Sequence, residues 1–392
     1  MSQQLINHSP DLKRLRDEGY AVQIKGGYLV IHQIPYVNSA KQVKHGSLVS
    51  QLTLANSTQT ARPNTHVIYF VGDQPCNADG TPITAITHGT ANQQFVQGIT
   101  VNRSFSNKPP NGYIDYYEKV NTYATILASP AAAIDPSVTP KGFAVVVDEN
   151  SEDVFQYVDT SSSRANVVHI NAAFNNQRIA IVGLGGTGAY ILDLVSKTPV
   201  AEIHTFDGDD FLQHNAFRSP SAASTDELNR RLKKVEYYYN RYANMHKGIR
   251  MHAYYIADTN LSELKGISYV FVCVDNDSAR RMIIQYLLKE NIPFIDVGLG
   301  VNLVDNQLIG TVRVTTATPV KSDHLADRIS FEADRDNAYT TNVQIADLNC
   351  LNAVMAVLKW KKLSGFYQDL EKEHHSTYSI NVSHLRNEDS TA

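Results

Sequence analysis

A glycine-rich turn near the middle of the chain is the feature that most constrains the fold. The segment IAIVGLGGTGAY, residues 179–190, has the pattern of a buried strand, a tight turn and the start of a helix. A GxGxxG turn in this position brings backbone N–H groups and the positive end of a helix dipole towards a phosphate. Glycines can also serve only to pack a tight turn, but the flanking strand and helix favour a nucleotide site. The four glycines are Gly183, Gly185, Gly186 and Gly188.

The sequence around this turn alternates between short apolar runs and amphipathic helical patterns. Strands are expected at RIAIVG, VAEIHTFDGD, MHAYYI, ISYVFVCV and IPFIDVG, with QLIGTVRVTT as a later strand. The alternation predicts an α/β fold with a Rossmann-like, mostly parallel sheet and helices on both faces. We also predict one long helix at ELNRRLKKVEYYYNRYANMH behind a capping box of Ser224 and Glu227, and a final helix at VQIADLNCLNAVMAVLKWKKL.

With 392 residues, the chain is long enough for two domains. Residues 1–160 have the pattern of a smaller mixed α/β domain, with a short helix at PDLKRLRDEGY. Strand-like runs follow at YAVQI, GYLVIH, SLVSQLTL, HVIYFVG and GFAVVVDE. The segment DTSSSRANVVHINAAFNNQR is expected to be a linker, because its serines and asparagines interrupt both periodicities. We therefore place the second domain at residues 161–392.

Composition excludes several classes of protein. The formal net charge of -4 gives no reason to expect nonspecific binding to nucleic acid or to an anionic membrane. The N-terminal segment lacks the apolar core of a signal peptide, and no apolar run is long enough to span a bilayer. The three cysteines are far apart and form no CxxC pair, which is typical of a reducing compartment and argues against a disulfide framework. The sequence has no HExxH motif and no cysteine–histidine cluster, so we expect no structural zinc site. We expect a soluble cytoplasmic protein.

An acidic residue follows the second predicted strand of the α/β region. Dinucleotide-binding enzymes carry a ribose-binding acid at this position, and Asp207 occupies it. The sequence continues as FDGDDFLQHNAFR, which brings Asn215 and Arg218 close behind. A dehydrogenase has no need of these two residues, whereas an enzyme that cleaves a nucleoside triphosphate must balance negative charge at the phosphates. The segment therefore favours a triphosphate, and a dehydrogenase is the third-ranked alternative.

Four motifs in order give the chain a specific resemblance. GLGGTG, FDGDDFLQHNAFR, KKVEYY and CVDNDSAR, within about residues 165–365, are similar to the motifs of the ThiF/MoeB/ubiquitin-activating-enzyme superfamily. The chain carries Phe211 where that superfamily usually has valine, at a packing position. The resemblance implies ATP- and Mg²⁺-dependent adenylation of the C-terminal carboxylate of a ubiquitin-like protein, with release of pyrophosphate.

The resemblance also implies roles for the matching residues around the nucleotide. The glycine turn would face the phosphates, and Asp207 would hold the ribose hydroxyls. Asn215 and Arg218 would contact the phosphates, while Lys234 would neutralise their charge. Each cation has a simpler alternative as an exposed surface charge, but their joint occurrence at these positions favours function.

Further roles fall on the segment after a later strand and on the linker. Asp275 would lie near the Mg²⁺ ion and the α-phosphate, with Asn276 beside it and Arg280 helping to hold that turn. Asp275 could instead cap the helix that follows. Arg164 is similar in position to an arginine that relatives supply to the ATP site of a partner subunit, which would require a homodimer; a solvated linker charge is an equal alternative.

The cysteine nucleophile of ubiquitin-activating relatives is missing from its usual segment, roughly residues 318–342. Three outcomes remain: the adenylate is handed directly to a partner, a hydroxyl of that segment forms an oxyester, or Cys76 is recruited from the first domain. We favour a route without cysteine. His324 is the segment's single histidine, and a surface position is its more typical role. The candidate hydroxyls are Ser322, Ser330, Thr340 and Thr341, and the other cysteines, Cys273 and Cys350, fall on predicted buried elements.

The first domain carries a second resemblance. HVIYFVGDQPCNADGTPI, NGYIDYYEKVNTYATIL and VFQYVDTSSSRANV, followed by the ThiF-like region, resemble a bacterial subgroup with an uncharacterised N-terminal domain. Its members accompany ubiquitin-like proteins, conjugating-enzyme-like proteins and isopeptidases, in some cases in anti-phage defence. This implies a docking module for the ubiquitin-like substrate or its acceptor. The alternative function is a catalytically inactive nucleotide-binding scaffold that pairs with another subunit. The tyrosines of this domain, Tyr113, Tyr116, Tyr117 and Tyr123, are expected to pack.

Overall fold

The structure is a computed structural model that describes residues 2–96, 98–146, 153–165, 167–329 and 343–391. The chain forms two compact units. The first comprises Met1–Asn150 and Tyr157–Val168, and the second comprises Ser151–Gln156 and His169–Ala392. Among the described residues, no helix combines the length and the apolar character needed to cross a bilayer.

The first unit is built from antiparallel strands and a few helices. Its described strands are β1 (Ala21–Lys25), β2 (Tyr28–Val37), β3 (Val43–Gln51), β4 (Leu54–Asn56), β5 (Gln59–Thr60), β6 (Val67–Val71), β7 (Thr87–Val96) and β8 (Ile99–Ser106). Its described helices are α1 (Ser2–His8), α2 (Pro10–Asp17), α3 (Tyr116–Ile134) and α4 (Thr160–Arg164), with a 3-10 turn at Thr84–Ile86. Six strands form one sheet in the order β1-β2-β3-β6-β8-β7, and β4 pairs with β5 separately.

The core of the first unit lies between one face of this sheet and helices α1, α2 and α3. Tyr113, Tyr116 and Tyr123 are buried there, which confirms their expected packing role. The hydroxyl of Tyr116 donates to the Gln51 carbonyl at 2.8 Å, so the ring is buried while its polar end is satisfied. Helix α3 was not expected from the sequence.

Two expectations for the end of this domain are wrong. The run GFAVVVDE is not a strand over its described part, residues 142–146, where Phe143 adopts a left-handed φ of 52°. The backbone N–H of Phe143 donates to the Gly19 carbonyl instead of to a strand partner. The expected linker, residues 159–178, is not irregular throughout, because it contains helix α4, a further short helix at Val168–Asn171 and a 3-10 turn at Ala172–Phe174.

The second unit is an α/β domain. Its described strands are β9 (Arg178–Val182), β10 (Glu202–Phe206), β11 (Ile249–His252), β12 (Tyr269–Val272), β13 (Phe294–Val304), β14 (Gln307–Ala317), β15 (His375–Ser379) and β16 (His384–Glu388). Its described helices are α5 (Val168–Asn171), α6 (Gly186–Val195), α7 (Gln213–Ala216), α8 (Thr225–Asn229), α9 (Lys234–Tyr242), α10 (Asp277–Lys289), α11 (Leu325–Arg328) and α12 (Ala346–Leu363), with 3-10 turns at Ala172–Phe174 and Leu261–Leu264.

One eight-stranded sheet organises this unit, in the order β11-β10-β9-β12-β13-β14-β15-β16. The first five strands in that order are parallel, and the remaining pairs are antiparallel. The chain builds outward from β9 through β10 to β11 and then returns to the other side of β9 with β12. Ligands of open α/β sheets bind at such a reversal, outside the carboxyl ends of the strands.

Helices cover both faces of the parallel strands. Ile179 and Ile181 of β9 pack in a cluster with residues of α6, α9 and α12. Ala180 and Val182 point to the opposite face and pack in a cluster with residues of α10. Burial on both faces explains the continuous apolar runs of these strands. The expected Rossmann-like α/β fold is confirmed, with an antiparallel extension of which β15 and β16 were not expected.

Lys119 is a fully buried cation in the core of the first unit, with 0% of its surface exposed. Its ammonium group donates to Ser50 Oγ and to the Thr65 carbonyl, each at 2.9 Å. Neither partner is charged, so burial dominates and lowers the pKa of Lys119 to about 8.

We predict that Lys119 makes the stability of the first unit depend on pH. The folded lysine releases its proton near pH 8, whereas the unfolded one holds it to about pH 10.5, so this component of the unfolding free energy rises across that window. Hydrogen exchange of the α3 amides, corrected for the intrinsic rate at each pH, measures the effect. The difference between wild type and Lys119→Met should change with pH in the window; parallel profiles would contradict the prediction.

Candidate active site

The glycine turn joins β9 to α6, and glycine is required at different positions of the turn for different structural reasons. Gly183 has a left-handed φ of +92°, and a Cβ there would lie 2.6 Å from the Cys273 carbonyl oxygen. A Cβ on Gly188 would lie 1.9 Å from the Gly183 carbonyl oxygen, so this glycine sets how closely α6 packs against the turn. A Cβ on Gly185 would meet nothing within 4 Å, because this residue borders a cavity. Gly185 and Gly186 line that cavity, whereas Gly188 does not.

Asp207 begins the loop that follows β10 and connects this loop to the glycine turn by hydrogen bonds. Its two carboxylate oxygens accept hydrogen bonds from the backbone N–H of Leu184 at 2.7 Å and of Asp209 at 2.8 Å. Only 5% of Asp207 is exposed, and burial raises the pKa of its carboxyl, against the opposing effect of Lys234. The carboxylate lines the cavity, where the ribose role predicted for it stays a prediction.

Arg218 reaches the cavity and Asn215 does not. The Arg218 side chain lines the cavity, and its buried Nε has no hydrogen-bond partner among the described residues. Asn215 is 4% exposed and its Oδ1 accepts a hydrogen bond from the Leu212 backbone N–H at 2.8 Å. Its carbonyl accepts the backbone N–H of Arg218 at 3.2 Å. In this geometry Asn215 shapes the turn that presents Arg218.

Lys234 depends on a break in what the sequence predicted as one long helix. The capping box of Ser224 and Glu227 is present, but α8 ends at Asn229 and α9 begins only at Lys234. Between them the chain pairs with the loop after β10, and the Lys234 backbone N–H donates to the Asp209 carbonyl at 2.9 Å. The single-helix prediction is therefore wrong, because backbone pairing with the Asp209 segment replaces helical hydrogen bonds.

The break brings the Lys234 ammonium group to the cavity wall. Its Nζ lies 2.6 Å from Asp209 Oδ2 and 3.7 Å from Asp207 Oδ2, and its side chain is only 8% exposed. Burial acts to raise the pKa of Asp209, but the hydrogen bonds from Lys234 and Tyr255 outweigh it and lower the pKa. Two carboxylates therefore hold this ammonium group in place.

Asp275 and Asn276 stand where β12 gives way to α10. Asn276 caps the helix, because its Oδ1 accepts the backbone N–H of Ala279 at 2.9 Å. The alternative that Asp275 is the cap is therefore wrong. Asp275 is exposed, lines the cavity and has no hydrogen-bond partner among the described residues. Its carboxylate is available to a ligand.

Arg280 stabilises this turn by hydrogen bonds, as expected. Its guanidinium donates to the Val274 carbonyl and to Asp277 Oδ1, each at 2.6 Å. Its Nε lies 3.3 Å from the fully buried carboxylate of Asp296, which also accepts a hydrogen bond from Arg313 at 2.6 Å. Burial raises the pKa of Asp296, and the two guanidinium groups oppose that shift. This network fixes the backbone next to Asp275.

Helix α12 contributes amide side chains that the sequence analysis did not identify. Asn349 is 1% exposed; its Oδ1 accepts from Thr187 Oγ1 at 3.0 Å, and its Nδ2 donates to the Arg218 carbonyl at 3.3 Å. It therefore links the glycine turn to the arginine loop. Asn352 also lines the cavity. Two asparagines three positions apart in an otherwise apolar helix were the available signal.

The cavity has a volume of about 580 Å³, which suits a nucleotide-sized ligand. It opens at the carboxyl ends of β9, β10 and β12, where the strand order reverses. Its charged lining residues are the acids Asp207, Asp209 and Asp275 and the cations Arg218, Lys234 and Arg280. A balanced lining of this kind can accept a polyanion only when a cation enters with it or when the acids bind other parts of the ligand.

None of the three thiols has the properties of an activated nucleophile. Cys273 lines the cavity, but burial raises the pKa of its thiol, as it does for Cys76 and Cys350. His324 is 5% exposed, so the expectation of a surface histidine is wrong, and it does not line the cavity. Ser322 is exposed. Ser330, Thr340 and Thr341 lie outside the described residues.

Arg164 lies at the end of α4, in the first unit, and its side chain is outside what the structure describes. Its proposed role in a partner's site stays a prediction.

The fold and the cavity define a nucleotide-binding α/β protein, and the family models agree. The ThiF family model matches residues 168–389, more than half of the chain. A model described as a domain of unknown function (DUF6791) matches residues 10–160. The chain therefore belongs to the ThiF family, a family of adenylating enzymes. A search of curated proteins found no match.

Solved structures with low similarity were also found. The E. coli MccB structure with ATP is 18% identical, with 57% of this chain and 67% of that chain covered and a TM-score of 0.47. The microcin C7 biosynthetic enzyme MccB with N-formylated MccA is 16% identical, with 70% and 87% covered and a TM-score of 0.45. PaaA is 17% identical, with 57% and 76% covered and a TM-score of 0.44. Family membership rests on the family model and on the site.

Two glycine substitutions separate packing from ligand contact. Gly188→Ala should destabilise the second unit by about 1–3 kcal/mol, because its Cβ collides with the Gly183 carbonyl oxygen. Gly185→Ala is the matched control and should leave stability unchanged while weakening ATP binding. Urea unfolding, followed by the fluorescence of Trp360, measures the stability of both variants. Trp360 is the chain's one tryptophan and is fully buried in this unit. Equal midpoints for Gly188→Ala and wild type would refute the packing role.

Proposed function

We propose that the second unit adenylates the C-terminal carboxylate of a ubiquitin-like protein with ATP and Mg²⁺, as the activating enzyme of a bacterial ubiquitin-like conjugation pathway. The observation that carries the proposal is the convergence of the glycine turn, Arg218, Lys234 and Asp275 on one cavity. Membership of the ThiF family supports the reaction class.

The lining of the cavity supports an orientation for ATP. Phe206, Ile256 and Ile283 give one part of the wall an apolar character suited to the base. Asp207 borders this part and can accept hydrogen bonds from ribose hydroxyls. The N-cap residue Gly185 and the first residue of α6, Gly186, offer backbone N–H groups for the phosphates, since the first N–H groups of a helix have no partner within it.

The chemistry requires charge compensation more than a general base. An oxygen of the substrate carboxylate attacks the α-phosphorus, the bond from that phosphorus to the oxygen bridging to the β-phosphate breaks, and pyrophosphate leaves. Both reactants are anions, so cations must bring them together. Arg218, whose buried Nε lacks a partner, and Lys234 are suited to this role.

The residues present fit a Mg²⁺ ion bound together with ATP. Mg²⁺ is commonly held by one or two carboxylates plus substrate phosphates, and Asp275 is an exposed carboxylate without a hydrogen-bond partner among the described residues. No group of three or more acidic, histidine or cysteine ligands occurs in the described part of the chain, which fits an ion that arrives with the nucleotide. The ion would neutralise phosphate charge and orient the leaving group.

We further propose that the activated carboxyl group is transferred without a cysteine thioester. The raised pKa of each thiol supports this route, because the thiolate is the nucleophilic form. The acceptor would be reached through a conjugating-enzyme-like partner, with the first unit as a docking module. A homodimer, in which Arg164 serves the partner's ATP site, completes the proposal.

ATP–pyrophosphate exchange in the presence of candidate ubiquitin-like proteins tests the reaction. We expect Arg218→Ala and Asp275→Asn each to lower the exchange rate by roughly 10²–10³-fold. Arg218→Ala removes a cation from the phosphates, and Asp275→Asn removes the carboxylate proposed to hold the Mg²⁺ ion. Lys289→Ala is the control: this exposed lysine lies at the far end of the helix that follows Asp275 and should exchange at the wild-type rate.

The opposing outcome is equally specific. If the wild type binds ATP but exchanges no pyrophosphate with any candidate, the inactive-scaffold alternative is supported and the adenylation proposal fails. If Arg218→Ala retains full exchange, the assignment of the phosphate site is wrong.

A further inference from the structure

One wall of the cavity carries a buried oxygen that accepts no hydrogen bond from the described residues. Asn352 lines the cavity and is 1% exposed. Its Nδ2 donates to the Gly298 carbonyl at 3.0 Å, which fixes the orientation of the amide. Its Oδ1 has no hydrogen-bond partner among the described residues. Buried polar atoms in proteins are normally paired, so this acceptor calls for a donor from a ligand or water.

A second acceptor lines the same cavity. Gln344 precedes α12 and lines the cavity, and its buried Oε1 also lacks a partner in the described part of the chain. Two unpaired amide oxygens in one cavity select a ligand that presents N–H or O–H groups.

The reacting groups themselves cannot satisfy these oxygens. Phosphate and carboxylate oxygens are acceptors at neutral pH, and the ribose hydroxyls already have an acceptor in Asp207. The amino group of adenine is a further donor, but it goes with the base to the apolar part of the wall at Phe206, Ile256 and Ile283. The donors that a peptide substrate adds beside its carboxylate are the main-chain N–H groups of its C-terminal residues. A simple carboxylic acid has no such donors.

The neighbouring backbone is suited to an extended peptide. Strand β12 pairs with β13 only at Phe294–Asp296, so the edge of β13 that continues through Val297 and Gly298 has no described strand beside it. Val297, Gly298 and Leu299 line the cavity. A strand edge next to a pocket is a recurrent place for a peptide to bind by strand addition. Here the Gly298 carbonyl already accepts from Asn352, so at this position a peptide would meet the Asn352 side chain and not that carbonyl.

We propose that Asn352, with Gln344 as a second acceptor, binds the main-chain N–H groups of the C-terminal residues of the peptide substrate. The site thereby distinguishes a peptide carboxylate from a simple carboxylic acid. This inference rests on the proposed adenylation of a C-terminal carboxylate, and it assigns the residues that recognise the chain next to that carboxylate.

Stable mimics of the acyl-adenylate test the proposal without the natural substrate. The probes are acetyl-glycyl-glycyl sulfamoyl adenosine and the analogue in which an ester oxygen replaces the N–H of the last residue. Isothermal titration calorimetry with the full-length wild type should give roughly fivefold tighter binding of the amide probe, the value of one hydrogen bond. This comparison needs no variant.

Two variants of Asn352 separate the acceptor from the structural contact. Asn352→Leu and Asn352→Asp both lose the donor to the Gly298 carbonyl, but only the aspartate keeps an acceptor. The preference for the amide probe should disappear in Asn352→Leu and persist in Asn352→Asp, even though the added charge weakens both probes. Loss of the preference in both variants would contradict the acceptor role.

Other outcomes also decide the question. Equal affinity of the wild type for both probes, or an unchanged preference in Asn352→Leu, overturns the proposal. Binding of ATP without binding of either probe overturns it as well and leaves the nucleotide site intact. Failure to bind ATP at all overturns the proposed adenylation itself.

Discussion

The nucleotide site depends on how closely α6 packs against the turn that precedes it. Gly188 allows the helix to approach the Gly183 carbonyl, and Gly183 in turn fits against the Cys273 backbone. This contact places the first turn of the helix at the reversal point of the sheet. Asp207 and Asn349 then attach their loop and helix to the same turn by hydrogen bonds. The close contact between α6 at Gly188 and the Gly183 carbonyl therefore positions much of the cavity wall.

Charge balance is the second constraint on the site. The cavity is lined by equal numbers of carboxylates and cations, and the cations are held by carboxylates before any ligand binds: Lys234 by Asp209, and Arg280 by Asp277 and Asp296. Such pairing keeps cations ordered at low cost, because neither member is left buried and unpaired. Arg218 differs, since its guanidinium forms no ion pair with a described carboxylate and its buried Nε has no hydrogen-bond partner among the described residues. A polyphosphate bound in this cavity would give the Arg218 guanidinium the anionic partner that it lacks.

The sequence was sufficient for the motifs but not for contacts between distant elements. Each motif segment follows a strand: the glycine turn, the segment with Asp207 and Arg218, and the segment with Asp275. Because parallel strands end at the same edge of a sheet, their shared location follows from the topology. The break before Lys234 could not be predicted, because helical periodicity continues through it and pairing with the Asp209 segment overrides the local preference. Asn349 and Asn352 were missed for a related reason, because their hydrogen-bond partners are distant in sequence. The partners of Asn349 are at least 131 positions away, and that of Asn352 is 54 positions away. The antiparallel strands β15 and β16, rich in polar residues, gave no clear period.

The central claim is that this cavity recognises a triphosphate rather than a dinucleotide. Calorimetric affinities for ATP with Mg²⁺, AMP and NAD test it directly in one protein preparation. The account predicts that ATP binds tightest, that AMP is weaker because it lacks the phosphates near Arg218 and Lys234, and that NAD is weakest. Binding of NAD as tight as or tighter than that of ATP would contradict it.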